Sequence, residues 1–445
     1  MKKLLLILSL AFSLNANAQC WKKVTGSRYH TLAIKTDSSL WGWGRNYVGE
    51  LGDGTSFDRW LPIQMGFGDK FVDIVTTAGW GQSFAIKKDG TLWACGNSEL
   101  GDGIVTNRYI LTQIGTETNW KSISAGPYHV IAIKTDGTLW AWGENNNGEL
   151  GCCSTGMSQS FPTQIGTGTN WKAVSVATGF SIGIKTDGTL WGWGLSYYNG
   201  TGSWALVPTQ IGTATNWESI SSSTKHTSAI KTDGTLWAWG ENPNGELGDG
   251  TNFYRIVPIQ IGTGTNWKSV AAGETHTIGI KTDGTLWTWG VGSALGDGTT
   301  VIRYSPGQIG ALTNWEYVYC GPLTSYAIRT DLSLWVCGQN PSGLLGDGTQ
   351  FPRDIFQQVS CGSSGIEEVD NNSFTVYPNP TNSTLTINTK AIYSSVQIVN
   401  MLGQVVFTKE KSTSLNVSSL PSGIYFIQLV ENKGSVIGNE KFVKE

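Results

Sequence analysis

Four histidines are the side chains in this sequence best suited to acid–base or metal chemistry. They occupy the same place, the start of a strand-like run, in four different copies of an internal repeat: His30, His129, His226 and His276. A ring of imidazoles could bind a metal ion near a common axis. The remaining copies carry unrelated side chains at that place, namely Gln82, Phe180 and Thr324. We therefore predict a structural role, in which each ring bonds to neighbouring backbone, and no metal site.

A second repeated feature is an aspartate in Leu-Gly-Asp-Gly loops. These residues are Asp53, Asp102, Asp249, Asp297 and Asp347. A calcium loop needs several oxygen ligands at alternate positions and usually a bidentate glutamate, whereas aspartate between glycines is ordinary turn chemistry. The sequence has no phosphate-binding loop, and no histidine stands beside a nucleophile in a recognisable motif. We predict no catalytic residues, no cofactor and no enzymatic activity.

The composition shows what kind of scaffold must position these residues. The chain of 445 residues contains 58 Gly and 21 Trp, which suits short strands, tight turns and aromatic anchors and favours an all-β fold. Charged residues make up 14% of the chain, and the formal net charge is -3. The basic residues form no stripe, so neither nucleic acid nor an anionic membrane is a predicted partner.

An internal repeat decides the architecture. One phrase, with its fullest form at residues 135–143 (Thr-Asp-Gly-Thr-Leu-Trp-Ala-Trp-Gly), recurs around Trp41, Trp93, Trp140, Trp191, Trp237, Trp287 and Trp335. The six steps cover 294 residues, a mean period of 49. A strand-rich repeat of this length is typical of propeller blades. We predict a seven-bladed β-propeller at residues 19–360.

Each blade is predicted to contain four strands, named A to D in chain order. Examples are 266–270 for A, 276–281 for B, 286–289 for C and 258–262 for D. Asp283-Gly284, between B and C, predicts a two-residue type I′ turn, in which both central residues need positive φ. Strands A start at Trp21, Phe71, Trp120, Trp171, Trp217, Trp267 and Trp315. Eighteen of the 21 Trp fall at repeat positions, so they are predicted to be core residues.

The N-terminus has the three parts of a secretory signal peptide. Lys2 and Lys3 precede an apolar run, and Ala16-Asn17-Ala18 fits a cleavage site. We predict a signal peptide at residues 1–18. No later segment reaches the ~18 apolar residues of a membrane span.

Seven cysteines in an exported protein predict some disulfides. Cys20 opens the first strand and Cys361 follows the last, and the two ends of a closed ring must meet. We predict a Cys20–Cys361 clasp. Cys95 and Cys337 replace a strand C Trp and are predicted to be buried fillers. The adjacent pair at 152 and 153 receives no assigned role.

The two faces of the predicted ring differ. The B–C and D–A connections are nearly uniform, whereas the A–B and C–D connections vary and are rich in aromatic residues. Blades 3 and 4 depart furthest, through Cys152-Cys153 and the segment 195–204. We expect a binding site on the varied face, with candidate ligand-binding residues Trp60, Trp80, Tyr128, Tyr197, Tyr198 and Trp204. The alternative is that these aromatic rings pack beneath their own loops.

The blades resemble the regulator of chromosome condensation repeat. The matching pieces are residues 273–290 and the loop 242–248, Asn-Pro-Asn-Gly-Glu-Leu-Gly. The resemblance implies a β-propeller and leaves the function open, because this fold hosts many activities.

The tail is a separate domain. A Gly/Ser-rich, acidic and Asn-rich linker at 361–373 precedes a predicted small antiparallel β-sandwich at 374–445. It resembles the C-terminal sorting domain of the type IX secretion system through Tyr377-Pro378-Asn379-Pro380 and the segments 403–406, 421–425 and 441–444. The resemblance implies recognition by that secretion machinery, and a protein secreted from, or held on the outer surface of, a Gram-negative bacterium.

These patterns together predict an exported monomeric propeller that binds an extracellular protein or glycan through the aromatic loop face. One alternative is a secreted proteinaceous enzyme inhibitor that uses the same face, since the repeats also resemble those of a secreted bacterial β-lactamase inhibitor. A second alternative is a hydrolase or lyase with a site at the propeller axis.

Overall fold

The computed structural model describes residues 20–79, 81–361, 374–389, 393–400, 405–430 and 436–445. The predicted signal peptide, Trp80 and residues 362–373 of the predicted linker lie outside the described residues. The chain divides into two compact units, residues 1–361 and 362–445.

The first unit is the predicted seven-bladed propeller. Within its described residues it contains seven four-stranded antiparallel sheets, each built from four consecutive strands. Strands A are Trp21–Gly26, Phe71–Thr76, Trp120–Ala125, Trp171–Val176, Trp217–Ser222, Trp267–Ala272 and Trp315–Cys320. Strands B are His30–Lys35, Gln82–Lys87, His129–Lys134, Phe180–Lys185, His226–Lys231, His276–Lys281 and Thr324–Arg329. Strands C are Leu40–Gly44, Leu92–Gly96, Leu139–Gly143, Leu190–Gly194, Leu236–Gly240, Leu286–Gly290 and Leu334–Gly338. Strands D are Arg59–Met65, Arg108–Gln113, Gln159–Gln164, Ala205–Gln210, Arg255–Gln260, Arg303–Gln308 and Arg353–Val359.

Strand D begins earlier than the sequence predicted. In blade 5 it spans Arg255–Gln260 rather than 258–262, because Gly240 of strand C pairs with Arg255. A register irregularity between Ala238 and Gly240 lets the strand reach this far. Two single 3-10 turns, Ser293–Leu295 and Pro341–Gly343, lie in the C–D connections of blades 6 and 7.

The turn between strands B and C also differs from the prediction. The amide of Gly284 donates to the carbonyl of Lys281, and Gly284 has φ 78, whereas Asp283 is not among the residues with positive φ. This pattern is a three-residue loop that ends in a left-handed glycine, not a type I′ turn. The Asp283 carboxylate accepts hydrogen bonds from the amide and hydroxyl of Thr285, at 3.0 and 2.6 Å. The aspartate therefore braces the loop while the glycine alone supplies the left-handed conformation.

Gly284→Ala is expected to lower the free energy of unfolding by about 2 kcal/mol or more, because the new Cβ lies in the left-handed region. It would also lie 2.1 Å from the carbonyl oxygen of Thr313 in the next blade. Blade 1 offers the reverse test, since Ser38 has φ 67 at the equivalent position. Ser38→Gly should leave the stability unchanged or raise it by up to about 1 kcal/mol. Urea unfolding measures both variants, and a Gly284→Ala protein as stable as the wild type would contradict this account.

A tryptophan cluster joins strands A, B and C inside a blade. In blade 6 the ring of Trp267 meets those of Trp287 and Trp289 edge-on, at 6.2 and 5.7 Å. Lys281, the last residue of strand B, lies over Trp287 at 3.8 Å and over Trp267 at 5.2 Å. A cation over an indole contributes about 0.5–2 kcal/mol, so this partly buried lysine stabilises the cluster at the end of strand B.

Among the described residues, every blade has a lysine or arginine at the position equivalent to Lys281. These residues are Lys35, Lys87, Lys134, Lys185, Lys231, Lys281 and Arg329, within 3.4–3.8 Å of the centroid of the first strand C tryptophan. No motif in the sequence singled out these residues. Each stands six positions before that tryptophan, so the spacing was visible in the sequence.

Neighbouring blades are joined through the C–D loops. In blade 6, the Thr277 hydroxyl and the Trp289 indole N–H both donate to the carbonyl of Glu246 in blade 5, each at 2.8 Å. Where a cysteine replaces the tryptophan, its thiol points to the equivalent carbonyl, as Cys95 does toward Glu50 at 3.4 Å. Cys95 and Cys337 are 0% exposed, which confirms that they are buried fillers.

The ring closes between blades 1 and 7 without a shared strand, because each of these blades uses only consecutive strands. Trp43 donates to the carbonyl of Leu344 at 2.8 Å, and the hydroxyls of Thr31 and Tyr326 lie 2.8 Å apart. The predicted disulfide between Cys20 and Cys361 is present, with Cα atoms 6.2 Å apart. It provides a covalent link across the closure.

The second unit is the predicted β-sandwich. One sheet contains Thr375–Tyr377, Thr384–Asn388 and Ser414–Asn416. The other contains Val405–Glu410, Ser395–Asn400, Gly423–Val430 and Val436–Lys444, in that spatial order. Leu385 and Leu415 from the first sheet share a core with Ile398, Ile427 and Phe442 from the second. Among the described residues, no helix of either unit is long and apolar enough to span a membrane.

Candidate functional site

The histidines join neighbouring blades. Nε2 of His30, His129 and His226 lies 2.8–2.9 Å from a hydroxyl in the next blade, on Ser83, Ser181 and Thr277 respectively. The sequence predicted bonds to neighbouring backbone, and that detail was wrong, because the facing side chain of the next strand B reaches the ring first. Burial lowers the pKa of each of these three rings to about 3. They are therefore neutral at physiological pH.

His276 stands beside a thiol that no sequence motif indicated. Its Nε2 lies 3.5 Å from Sγ of Cys320, at the boundary between blades 6 and 7. A nucleophilic pair of this kind needs the proton on the imidazole and the charge on sulfur. Burial does the opposite here, since it lowers the pKa of His276 to about 4 and raises that of Cys320 above its usual range. The contact is therefore structural.

The repeated aspartates are occupied by their own loops. One carboxylate oxygen of Asp249 accepts hydrogen bonds from the amide and hydroxyl of Thr251. The other forms an ion pair with Arg255 at 2.6 Å. Burial opposes ionisation, but these hydrogen bonds together lower the pKa of Asp249 below its ordinary value. The same pairing, at 2.6–2.8 Å, recurs in Asp53–Arg59, Asp102–Arg108, Asp297–Arg303 and Asp347–Arg353. An arginine six residues after each aspartate is the sequence signal for this ion pair.

Three of the predicted aromatic residues lie together in the C–D loop of blade 4. The rings of Tyr197 and Tyr198 are 6.3 Å apart, and Tyr197 is 58% exposed. Trp204 is 55% exposed, yet its indole N–H donates to the backbone carbonyl of Asn147 in blade 3 at 2.8 Å. The loop therefore presents a wide indole face whose position is fixed by a hydrogen bond to the neighbouring blade.

Tyr198 has a different environment from its two neighbours. Its ring is half-buried against Phe180 at 5.9 Å, and its hydroxyl donates to Glu241 of blade 5 at 2.8 Å. Burial, together with that carboxylate, raises the pKa of Tyr198 to about 12. Because its ring is half-buried and its hydroxyl is bonded, Tyr198 is better placed to position the loop than to contact a ligand.

The other predicted site residues are spread around the ring. Tyr128, in the A–B connection of blade 3, is 42% exposed and lines a small cleft with Pro127 and Glu99. Trp60 is 46% exposed at the start of strand D of blade 1, where its carbonyl accepts from the amide of Gly348 in blade 7. Trp60 therefore belongs to the ring closure, away from the loop of blade 4. Trp80 lies outside the described residues.

Further apolar residues that no sequence pattern singled out are exposed in the C–D connections and on strand D. Phe253 and Phe351 are 66% and 72% exposed in the C–D connections of blades 5 and 7. Strand D also presents Ile110, Val207 and Ile355, each 58–61% exposed. The sequence does not indicate their exposure, because an outermost strand gives no sequence sign of which face is covered.

The fold and its loops define the class of this molecule: a closed seven-bladed β-propeller whose chemistry-bearing side chains are used inside the scaffold and whose exposed loops carry aromatic rings. Regulator of chromosome condensation repeat models match residues 21–50 and 120–149, and, for a second model, 37–86, 136–183 and 233–280. The secretion system C-terminal sorting domain matches residues 375–445. The propeller thus contains regulator of chromosome condensation repeats, and the C-terminal unit contains a type IX sorting domain, which indicates secretion or attachment to the cell surface.

Curated relatives share parts of the propeller. The ultraviolet-B receptor UVR8 of Arabidopsis thaliana is 32% identical over 89 residues, which are 19% of this chain and 20% of the receptor. The E3 ubiquitin-protein ligase HERC2 of Homo sapiens is 33% identical over 78 residues, which are 17% of this chain and 2% of the ligase. The chain thus spans a fifth or less of the length of either relative.

Solved structures agree on the fold. Human WBSCR16 is 18% identical with a TM-score of 0.67, covering 74% of this chain and 95% of that one. Yeast RCC1 (Prp20), in its complex with Kap60, is 23% identical with a TM-score of 0.61, covering 68% of this chain and 78% of that one. At these identities the likeness concerns the fold alone.

Proposed function

We propose that this exported propeller is a binding protein that recognises an extracellular protein or glycan through the C–D loop of blade 4 and the adjoining loop of blade 3. Truncation of a tyrosine or tryptophan at a binding hot spot typically costs about 2 kcal/mol or more. Tyr197 and Trp204 supply two such rings, each more than half exposed, in the C–D loop of blade 4. We further propose that the protein is not an enzyme, which is supported by the neutral buried histidines and the paired repeated aspartates.

The observation that carries the proposal is the hydrogen bond from Trp204 to the Asn147 carbonyl. An exposed aromatic side chain usually loses conformational freedom on binding, which costs about 0.5–1.5 kcal/mol for each immobilised side chain. The indole of Trp204 is already held against blade 3, so that cost is largely met before a ligand arrives. Tyr198, through Phe180 and Glu241, holds the other side of the loop in the same way.

Trp204→Ala is expected to weaken binding of the ligand by about 30-fold, the equivalent of about 2 kcal/mol. The ligand is first found with the full secreted chain, on a glycan array and by capture from surface extracts. Its affinity for wild type and variants is then measured by calorimetry. Tyr197→Ala should weaken binding in the same direction.

Tyr254→Ala is the matched control, because Tyr254 is 62% exposed in the C–D connection of blade 5, outside the proposed site. It should bind as the wild type does. A ligand whose affinity falls with Tyr254→Ala and is unchanged by Trp204→Ala would place recognition on another part of the ring.

A further inference from the structure

The C–D loop of blade 3 lacks the ion pair that braces this loop in five other blades. In blade 5 the brace joins Asp249 to Arg255. In blade 3, Cys152 follows Leu-Gly where Asp249 does, and Gln159 begins strand D where Arg255 does. Neither replacement carries a charge, so the loop of blade 3 has no ion pair at this position.

The two adjacent thiols of this loop are placed to form a covalent link. Their Sγ atoms lie 2.7 Å apart, about 0.7 Å more than the length of a disulfide bond. Cys152 is half-buried against the core of blade 3, while Cys153 is exposed. The side-chain amides of Asn145 and Gln159 point at Sγ of Cys153 from 3.5 and 3.8 Å. The exposed thiol is therefore accessible to a reagent and is already oriented toward its neighbour.

The backbone gives an independent indication. Cys153 has φ 39, in the left-handed region that disfavours a side chain, where blade 5 has Gly250 with φ 81. A residue kept in such a conformation against its preference points to a use for its side chain. Here the side chain is the thiol that faces Cys152.

We propose that the exported protein carries a disulfide between Cys152 and Cys153. Exchange with the disulfide of an oxidant forms it: both S–H bonds break, one S–S bond forms, and the oxidant's disulfide takes up the two protons and two electrons to become two thiols. The Cys20–Cys361 bond forms in the same oxidising compartment. Cys95 and Cys337, both 0% exposed, are closed to the reaction.

The disulfide acts on the loop that holds the exposed indole. The amide of Asn147 donates to the Glu149 carboxylate, and its carbonyl accepts from Trp204. A ring closed at Cys152–Cys153 fixes this short segment on its C-terminal side. Cα atoms of adjacent residues are about 3.8 Å apart, below the range of about 4.4–6.8 Å for ordinary disulfides, so this bond is reduced more easily than the clasp. The proposed disulfide stands independently of any ligand.

Peptide mapping tests the proposal directly. The full chain, isolated from the culture medium of a secreting host, is unfolded, alkylated without reductant, digested and analysed by mass spectrometry. We expect the peptide that holds residues 152 and 153 to be free of alkyl groups and lighter by two hydrogens than the dithiol. The same peptide alkylated on both sulfurs, or linked to another peptide, overturns the proposal.

Graded reduction of the folded protein separates this bond from the clasp. A dithiol reductant should open Cys152–Cys153 at a lower concentration than Cys20–Cys361 and, in that window, increase protease cleavage between residues 145 and 159. The variant Cys152→Ser/Cys153→Gly should show no reductant-dependent change in that window. Cleavage that depends on reductant to the same degree in this variant would assign the effect to the clasp and overturn the proposal.

Discussion

Acidification from pH 7 to about pH 4.5 is expected to remove most of the propeller's stability, before the aspartates with lowered pKa values are protonated. Four histidines are buried, and burial lowers their pKa from 6.5 to about 3 or 4. The folded state keeps them neutral, whereas the unfolded chain takes up protons below pH 6.5. Stability is therefore full above pH 6.5 and falls as the pH drops toward the folded pKa values.

The size of this effect follows from linkage. Each group contributes about 1.4 kcal/mol per pH unit within the window, so four groups contribute up to about 5 kcal/mol per unit. A typical domain has only about 5–15 kcal/mol in total. The aspartates with lowered pKa values, such as Asp249, act in the same direction but only below about pH 4. The two sets of groups are thus separated by their pH windows.

Urea unfolding at a series of pH values measures the slope of stability against pH. His129→Gln copies Gln82, the residue that blade 2 carries at the same place. It should reduce the slope between pH 6 and 4.5 by about a quarter, whatever it does to stability at pH 7. A slope identical to that of the wild type would show that His129 is protonated in the folded protein.

Replacing the clasp, by Cys20→Ser/Cys361→Ser, is expected to lower the free energy of unfolding by about 5 kcal/mol. The two cysteines are 341 residues apart, so the bond removes a large loop entropy from the unfolded chain. The ring has no strand shared between its first and last blades. Without the clasp, the closure depends on contacts such as Trp43 to Leu344 and Thr31 to Tyr326.

Chemical unfolding of the full chain measures this change. Wild type treated with enough reductant to open the clasp should unfold at the same urea concentration as the double variant. The unfolding midpoint of the double variant should not change when the reductant is raised to the concentration that opens the clasp in the wild type. A variant with the midpoint of the untreated wild type would show that the non-covalent contacts between blades 1 and 7 close the ring by themselves.

The varied face illustrates how far sequence comparison of the blades could go. The repeats, compared with one another, separate uniform from variable connections and single out residues 195–204. In the structure, Tyr197 and Trp204 of this segment each have more than half of the side chain exposed. The same comparison places Trp60 and Trp204 in one predicted binding site, although Trp60 lies beside Gly343 and Gly348 at the ring closure. The position of a residue within its own repeat does not determine which side chains of a neighbouring blade it contacts.

The sequence by itself determined the features that depend on residues close along the chain. The period of 49 residues, the starts of strands A and the position of each B–C turn follow from patterns over a few positions. The clasp also followed, because closing a ring brings its two ends together whatever the side chains between them.

Only the tertiary structure decided which side chains meet across blades. His129 with Ser181, Trp204 with Asn147 and His276 with Cys320 are each separated by 44–57 positions. These contacts depend on the angle and offset between adjacent sheets, which the packing of the tryptophan clusters sets and no local pattern encodes. For the same reason, burial, and with it the neutral state of the histidines, became visible only once the blades were assembled.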